Sequence, residues 1–519
     1  MVPWRRSPTQ RTIIVARPPY YYIRAAGYCA VALLLLVRPG MARASEDSHQ
    51  ASLAKLIKGV SSTRMLADVT RLSNNDFNGR QTGSPDDTRS AGFVSQRLGQ
   101  LFTRTHMAAT RVASSIVSMQ EPVTVQHIGE EAVLELFTGH HRIAASVGTD
   151  YLPILDSPSV GVTAGVVFVG YGISDPARGF DEYQGIDVRD RIVLFLRGTP
   201  RHYQVRVSHA EKVRVARELG AVAFLTATGP VRSAYELRRG IPPGPLAFYG
   251  RARGSAELPL PGAWISTDLA ESILSATGHS LRVIQKGLNQ KPVPQSLSVG
   301  VIASLRWDTR QTTGTLVNVL GLLPGTDPSL KDQTVILGAH RDHFGRQAGL
   351  VFPGADDNAT GTAILLEVAR ALVDSDQRPR RAILFISFSG EEQGLLGSRL
   401  YIARPTRRLK DTVAMINVDH AGIGNGRLTI GVQGLSKDVA REAGRAAGLA
   451  DTLDLYGYFP GGDHAPFREA GIPTIAIVSA GPHPHYHQPT DSTDTLSPEI
   501  LERVARYVLA LTWHLASKP

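Results

Sequence analysis

At 519 residues the chain is too long for one core and predicts two or three domains. With 42% hydrophobic and 20% charged residues it has the balance of a globular protein. The formal net charge of +10 is concentrated at one end: residues 1–44 carry seven arginines and no acid, which leaves +3 for the rest and excludes an electrostatic footprint for nucleic acid.

The N-terminus reads as a targeting segment. Arginines precede an apolar run at 25–37, a Pro39-Gly40 break follows, and Ala42-Arg43-Ala44 forms an A-x-A cleavage site before Ser45. The expectation is a signal peptide over 1–44 and a protein secreted or periplasmic in a bacterial envelope, with no stable membrane insertion after cleavage. Cys29, the only cysteine, lies inside this leader. The mature chain would then have no thiol ligand, and a metal site must use His, Asp and Glu.

Residues 46–118 read as helical, with a turn-rich patch at 74–84, and 120–155 as short alternating strands. From about 160 the texture changes to short strands at 165–172, 191–197 and 221–225, with a helix at 209–219 and a Gly/Pro-rich loop at 239–262. From about 310, strands at 334–338, 382–388, 412–418 and 474–478 alternate with helices at 361–373, 436–447 and 498–516. That alternation predicts a parallel sheet with helical crossovers.

Polar residues recur where these strands end. His340 and Asp342 follow the first, Glu391 and Glu392 the second, Asp419 the third, and His487 the fourth; Asp356-Asp357-Asn358 precedes a helix. Ligands of open α/β sheets bind at the carboxyl ends of the strands. Singly, each residue has an ordinary explanation: a core histidine, a solvated helix start, a capped turn. Their coincidence at successive strand ends points to a metal site. Two histidines with several carboxylates exceed what one catalytic zinc needs and suit two ions sharing a carboxylate. Cobalt or manganese fit similar ligands.

Six stretches carry a resemblance: GAHRDHFG at 338–345, PGADDNATG at 353–361, FSGEEQGLLGS at 388–398, MINVDHAG at 415–422, GDHAPF at 462–467 and HPHYHQPTD at 483–491. In this order and spacing the chain resembles the co-catalytic di-zinc aminopeptidases, a family that includes transferrin-receptor and glutamate-carboxypeptidase-like proteins. The resemblance implies an α/β fold: a mixed, mainly parallel sheet sandwiched by helices, of the zinc-peptidase phosphorylase/hydrolase-like kind, split over 46–155 and 295–519. It implies two zinc ions, one on His340 and Asp419, the other on Glu392 and His487, with Asp356 bridging. Glu391 would be the general base activating a metal-bridged hydroxide, and Asp342 would orient His340. Neighbours on a strand point to opposite sides, which would turn Glu392 to metal and Glu391 to water and a peptide substrate. Arg341, His420 and His485 stand where the family commonly has an aromatic, an apolar and an acidic residue. His343, His420, His464, His483 and His485 are expected outside the metal shell or at the surface.

Residues 160–290 resemble a protease-associated domain, a β-rich insertion, through the stretches at 167–172, 185–195 and 212–225. It implies a lid or access role. The function implied is a secreted zinc aminopeptidase that releases N-terminal residues. Alternatives on the same scaffold are a carboxypeptidase or dipeptidase, with Arg341 and Arg346 as candidates for a cationic pocket, a glutaminyl-cyclase-like enzyme, and a receptor-like binding protein.

Overall fold

Thr334–His340 is apolar along nearly all its length, and all seven residues are buried. A strand covered on both faces belongs inside a parallel sheet. In the computed structural model, which describes residues 50–107, 115–139, 141–250, 260–375, 377–457 and 460–518, it lies within an eight-stranded sheet. Ala382–Phe388 and Thr412–Val418 flank it in parallel, and Thr474–Ser479 runs parallel beyond the latter. Antiparallel strands extend both sides: Thr309–Leu323 with Ser115–Ile128 on one, and Leu428–Gln433 on the other, itself paired in parallel with Leu453–Tyr456. The sheet is therefore mixed, with a parallel centre. The leader expected at 1–44, with Cys29, lies outside the described residues. Among the described residues no helix is long and apolar enough to cross a membrane.

Helices cover both faces. Ser62–Ser73, Pro85–Met107, Thr360–Asp374 and Pro498–Ser517 contribute Val69, Val94, Leu365 and Val508 to one core. Leu396–Ala403 and His464–Glu469 place Tyr401 and Phe467 on the other, against Ile336, Phe388 and Met415. The last helix starts as its sequence dictates: Ser497 caps it by accepting from Ile500 N, and Pro498 sits in its first turn.

The chain leaves Thr334–His340 through the helix Thr360–Asp374 and joins the sheet again on one side at Ala382–Phe388. It then crosses to Thr412–Val418 on the other side. The strand order reverses there, which opens a crevice at the carboxyl ends.

A second eight-stranded sheet lies between the two parts of this layer in sequence. Its centre is parallel, from Val160–Phe168 through Ile192–Leu196 and Ala223–Ala227 to Gly262–Ile265. The helices Thr267–Ser275 and Leu281–Gln290 share its core through Leu269, Ile273, Leu281 and Leu288. The sheet is wider than the 160–290 boundary expected from sequence. Leu297–Trp307 pairs with Val160–Phe168 on one flank and Val133–Thr138 on the other, and points Val299, Val301, Ala303 and Leu305 into the second core. The layer therefore spans 133–307. The expected helical run to 118 also gives way: Ser115–Ile128 is a strand, paired along its length with Thr309–Leu323.

Candidate active site

The strand ends deliver their polar residues to one crevice. His340 is the last residue of its strand, and Asp419 follows Val418 directly. His340 Nε2 lies 3.4 Å from Asp419 Oδ1 and 3.5 Å from Asp357 Oδ1. His487 Nε2 lies 3.2 Å from the other oxygen of Asp357 and 3.7 Å from Glu392 Oε2. His487 is aimed by its second nitrogen, Nδ1, 2.9 Å from Ala247 O, and its φ of 55° is left-handed, a costly conformation for a side chain of this size. Glu392 is oriented in the same way, since His343 Nδ1 donates to its Oε1 at 2.7 Å and leaves Oε2 for the centre.

The carboxylate at the middle belongs to Asp357. Asp356, expected there from sequence, turns away: its Oδ1 accepts from Gly422 N at 2.7 Å and its Oδ2 from His483 Nδ1 at 2.7 Å. The backbone of Asp357 is nearly extended, at φ −112° and ψ 88°, and neighbours on extended backbone face opposite ways. Asp491 clamps the pair by accepting from the N–H of Asp356 at 2.8 Å and of Asp357 at 3.0 Å. Gly354 is required beside them. Its φ is 57°, and a Cβ would stand 2.4 Å from Asp357 O and 2.6 Å from His343 Cγ.

Asp342 lies close behind His340 and meets it through both its backbone and its carboxylate. His340 Nδ1 is 3.2 Å from Asp342 O but 3.7 Å from its carboxylate, so the backbone carbonyl is the nearer acceptor. The carboxylate accepts from Thr82 Oγ1 at 2.8 Å and receives the N–H groups of Glu391 and Glu392 at 3.3 and 3.4 Å. Those glutamates sit in a turn beyond the strand end. Asp342 thus pins the histidine loop to the glutamate turn.

Arg80, in the turn-rich patch at 74–84, had no role in the sequence reading. It is fully buried and donates to Arg341 O at 2.5 Å, Pro353 O at 2.7 Å and Gly354 O at 2.8 Å. It ties the His340 and Asp357 loops together. A turn with a positive-φ arginine between Gly79 and Gln81 carries no sequence signal for that role.

Burial pushes the Glu391 carboxyl well above the usual range; His340 opposes this, and Asp463, Asp419 and Asp357 add to it. Glu392 moves the same way, through burial and then Asp357 and Glu391. Burial pulls His340 down, but Asp419 and Asp342 outweigh it and hold the imidazole well above its ordinary value. His420 behaves alike: burial opposes, and Asp357, Asp419 and Asp356 draw it up to about 10. A site that concentrates negative charge out of water calls for cations.

Among the described residues, three groups bring donor atoms within 4.8 Å of one another: His340, Asp357 and Asp419; His343, Asp357 and Glu392; Asp356, His420 and His483. In the last, Asp356 and His483 already satisfy each other. In the first, His340 Nε2 and Asp419 Oδ1 are buried and make no hydrogen bond among the described residues, and the same holds for Asp357 Oδ2, the oxygen on the His487 side. Donors around a tetrahedral zinc stand about 3.3 Å apart, from bonds of roughly 2.0–2.1 Å, so the observed spacings fit the ion.

A cavity of about 380 Å³ opens over these groups, lined by Asp357, Glu391, Glu392, Asp419, His420 and His487 on one side and Tyr235, Arg239 and Ile241 of the second layer on the other. Arg341 takes no part in it. Its side chain is fully buried in the core, paired with Asp87 at 2.8 Å and donating to Val317 O and Ser387 O. Arg346 is half-buried and donates to Gly349 O at 3.2 Å. Neither arginine builds the cationic pocket that a carboxypeptidase needs.

Residues 318–512 match peptidase family M28. Among curated relatives, a probable leucine aminopeptidase of Arthroderma otae is 27% identical over 331 residues, covering 60% of this chain and 89% of its own length. Aminopeptidase YwaD of Bacillus subtilis is 34% identical over 179 residues, 32% of this chain and 38% of that protein. The fold is shared more widely. An aminopeptidase from Aneurinibacillus sp. strain AM-1 superposes with a TM-score of 0.64 at 22% identity, over 90% of this chain and 97% of that one. The zinc aminopeptidase of Bacillus subtilis gives 0.59 at 21%, over 89% and 96%. The M28 region therefore sits in a chain whose two layers recur together.

Proposed function

We propose that this M28 chain is a secreted, zinc-dependent aminopeptidase with two ions, the first held by His340, Asp419 and Asp357, the second by His487, Glu392 and Asp357. One observation carries the reading: the two oxygens of Asp357 face two separate donor sets, and its Oδ2 is buried without a hydrogen bond among the described residues. Asp357 replaces Asp356 as the bridge, and Asp342 acts as a positioning residue. Zinc bound there would acidify water and polarise the scissile carbonyl. Glu391 is the general base. It lines the cavity and its carboxylate makes no hydrogen bond among the described residues, which leaves it open to take a proton from water and return it to the leaving amine.

Neither Arg341 nor Arg346 lines the cavity, so the cationic pocket expected for C-terminal cleavage is not built by them, which favours the N-terminal reading. Leu395, Ile477 and Val478 on its wall fit an aliphatic first side chain. This agrees with the names of the curated relatives. Residues 1–44 are the export signal, and the second layer has the place of a protease-associated domain, since it supplies Tyr235 and Ile241 to the cavity. The test is metal analysis with Glu391→Gln. We expect close to two zinc ions per chain, retained in the variant, and hydrolysis of leucine p-nitroanilide reduced about 10³-fold. One ion or none, or full activity in the variant, overturns the reading.

A further inference from the structure

Beside the catalytic cavity lies another of about 300 Å³, built mainly by the second layer. The two share Tyr235, Ile241, Tyr486 and His487. They meet at the Tyr486 ring, stacked on His487 with centroids 3.7 Å apart.

The cation of this side cavity is Arg197, the residue after the strand Ile192–Leu196. Its guanidinium lies 3.9 Å from the centroid of Trp264 and 6.0 Å from that of Phe248. It is half-buried and makes no hydrogen bond or ion pair among the described residues. Its backbone, in contrast, is held from three directions. Arg197 N donates to Ala227 O at 2.8 Å, and the buried Lys212 donates to Leu196 O and Gly198 O, the carbonyls on either side. The acid among the lining residues, Glu236, accepts through Oε2 from Ser233 N and Oγ, both at 2.8 Å, and acts on Arg197 through its charge without a hydrogen bond or ion pair. A guanidinium fixed on aromatic rings with its donors unused is shaped for a planar, two-oxygen anion.

We propose that Arg197 receives the C-terminal carboxylate of a short peptide whose N-terminal residue occupies the catalytic cavity, so that the enzyme prefers peptides of two or three residues with a free carboxyl end. This rests on the aminopeptidase reading and adds its substrate class. Tyr486 and His487 line both cavities, which makes the two neighbours along one wall.

The experiment compares kcat/KM for leucylglycylglycine, its C-terminal amide, and an amidated leucyl-aspartyl peptide, in the wild type, Arg197→Gln and Arg197→Lys, each checked for a native thermal transition. The wild type should favour the free acid over the amide at least tenfold. Arg197→Gln should bring that ratio to within twofold of one, and Arg197→Lys should keep part of it. A wild-type ratio near one, or a ratio unchanged in Arg197→Gln, overturns the proposal. Preference for the aspartyl amide over the free acid overturns the terminal-carboxylate assignment in favour of an acidic side chain. If none of the peptides is cleaved, the aminopeptidase reading itself fails. The same acid-to-amide ratio, read as Kd by calorimetry on Glu391→Gln, then decides the Arg197 proposal separately.

Discussion

Asp356 and Asp357 share a peptide bond and face opposite ways, one toward Gly422 and His483, the other toward His340 and His487. Asp357→Asn should therefore lose most of the zinc, whereas Asp356→Asn should keep it and lose packing, with metal content by mass spectrometry separating the two. The adjacent glutamates differ likewise. Glu392→Ala should release metal, and Glu391→Gln should keep it. Arg341 shows the other use of charge. It is buried against Asp87 with no solvent to share the cost, so Arg341→Met should destabilise by about 3–5 kcal/mol in urea unfolding. Replacing Asp87 as well should recover part of that loss, because the second change removes the stranded charge.

At the level of elements, the site depends on segments tied across long sequence distances. The loop at 483–491 is held by Ala247, by Pro245 through Gln488, and by Arg239 O. Within the second layer, Glu182 straps the turn after Val160–Phe168 by accepting from the N–H groups of Tyr171 and Ile173. Burial pushes its carboxyl up to about 7, against those backbone bonds and Lys212. A folded-state value above the unfolded 4.5 means the native state binds the proton more tightly. The contribution is full below 4.5 and is lost as pH rises through about 7. It amounts to about 3 kcal/mol at most. Stability in urea unfolding should lose this contribution between pH 5 and 8, and Glu182→Gln should flatten that part of the pH profile.

For the whole molecule, the proposed centre would tie stability to metal. Zinc held there would bind the assembled site and not the separated segments, so free zinc at a thousand times its Kd should stabilise by about 4 kcal/mol. Thermal unfolding with a chelator should show a lower Tm, restored by added zinc. A Tm indifferent to chelation would leave the buried charges without their cations and contradict the proposed centre.

The sequence by itself determined the strands and crossover helices of the catalytic layer, because continuous apolar runs and helix caps are local signals. It also brought His340, Glu391, Glu392, Asp419 and His487 to one edge, because parallel strands end on the same side. Which aspartate faces the centre depends on backbone dihedrals at 357 and the clamp from Asp491, 134 residues away. The burial of Arg341 and the bracing by Arg80 are equally non-local. The extent of the second layer is set by Leu297–Trp307 pairing with strands that precede it by more than a hundred residues. Tertiary structure decided those points, because a side chain's direction and a strand's partner are properties of packing between distant segments.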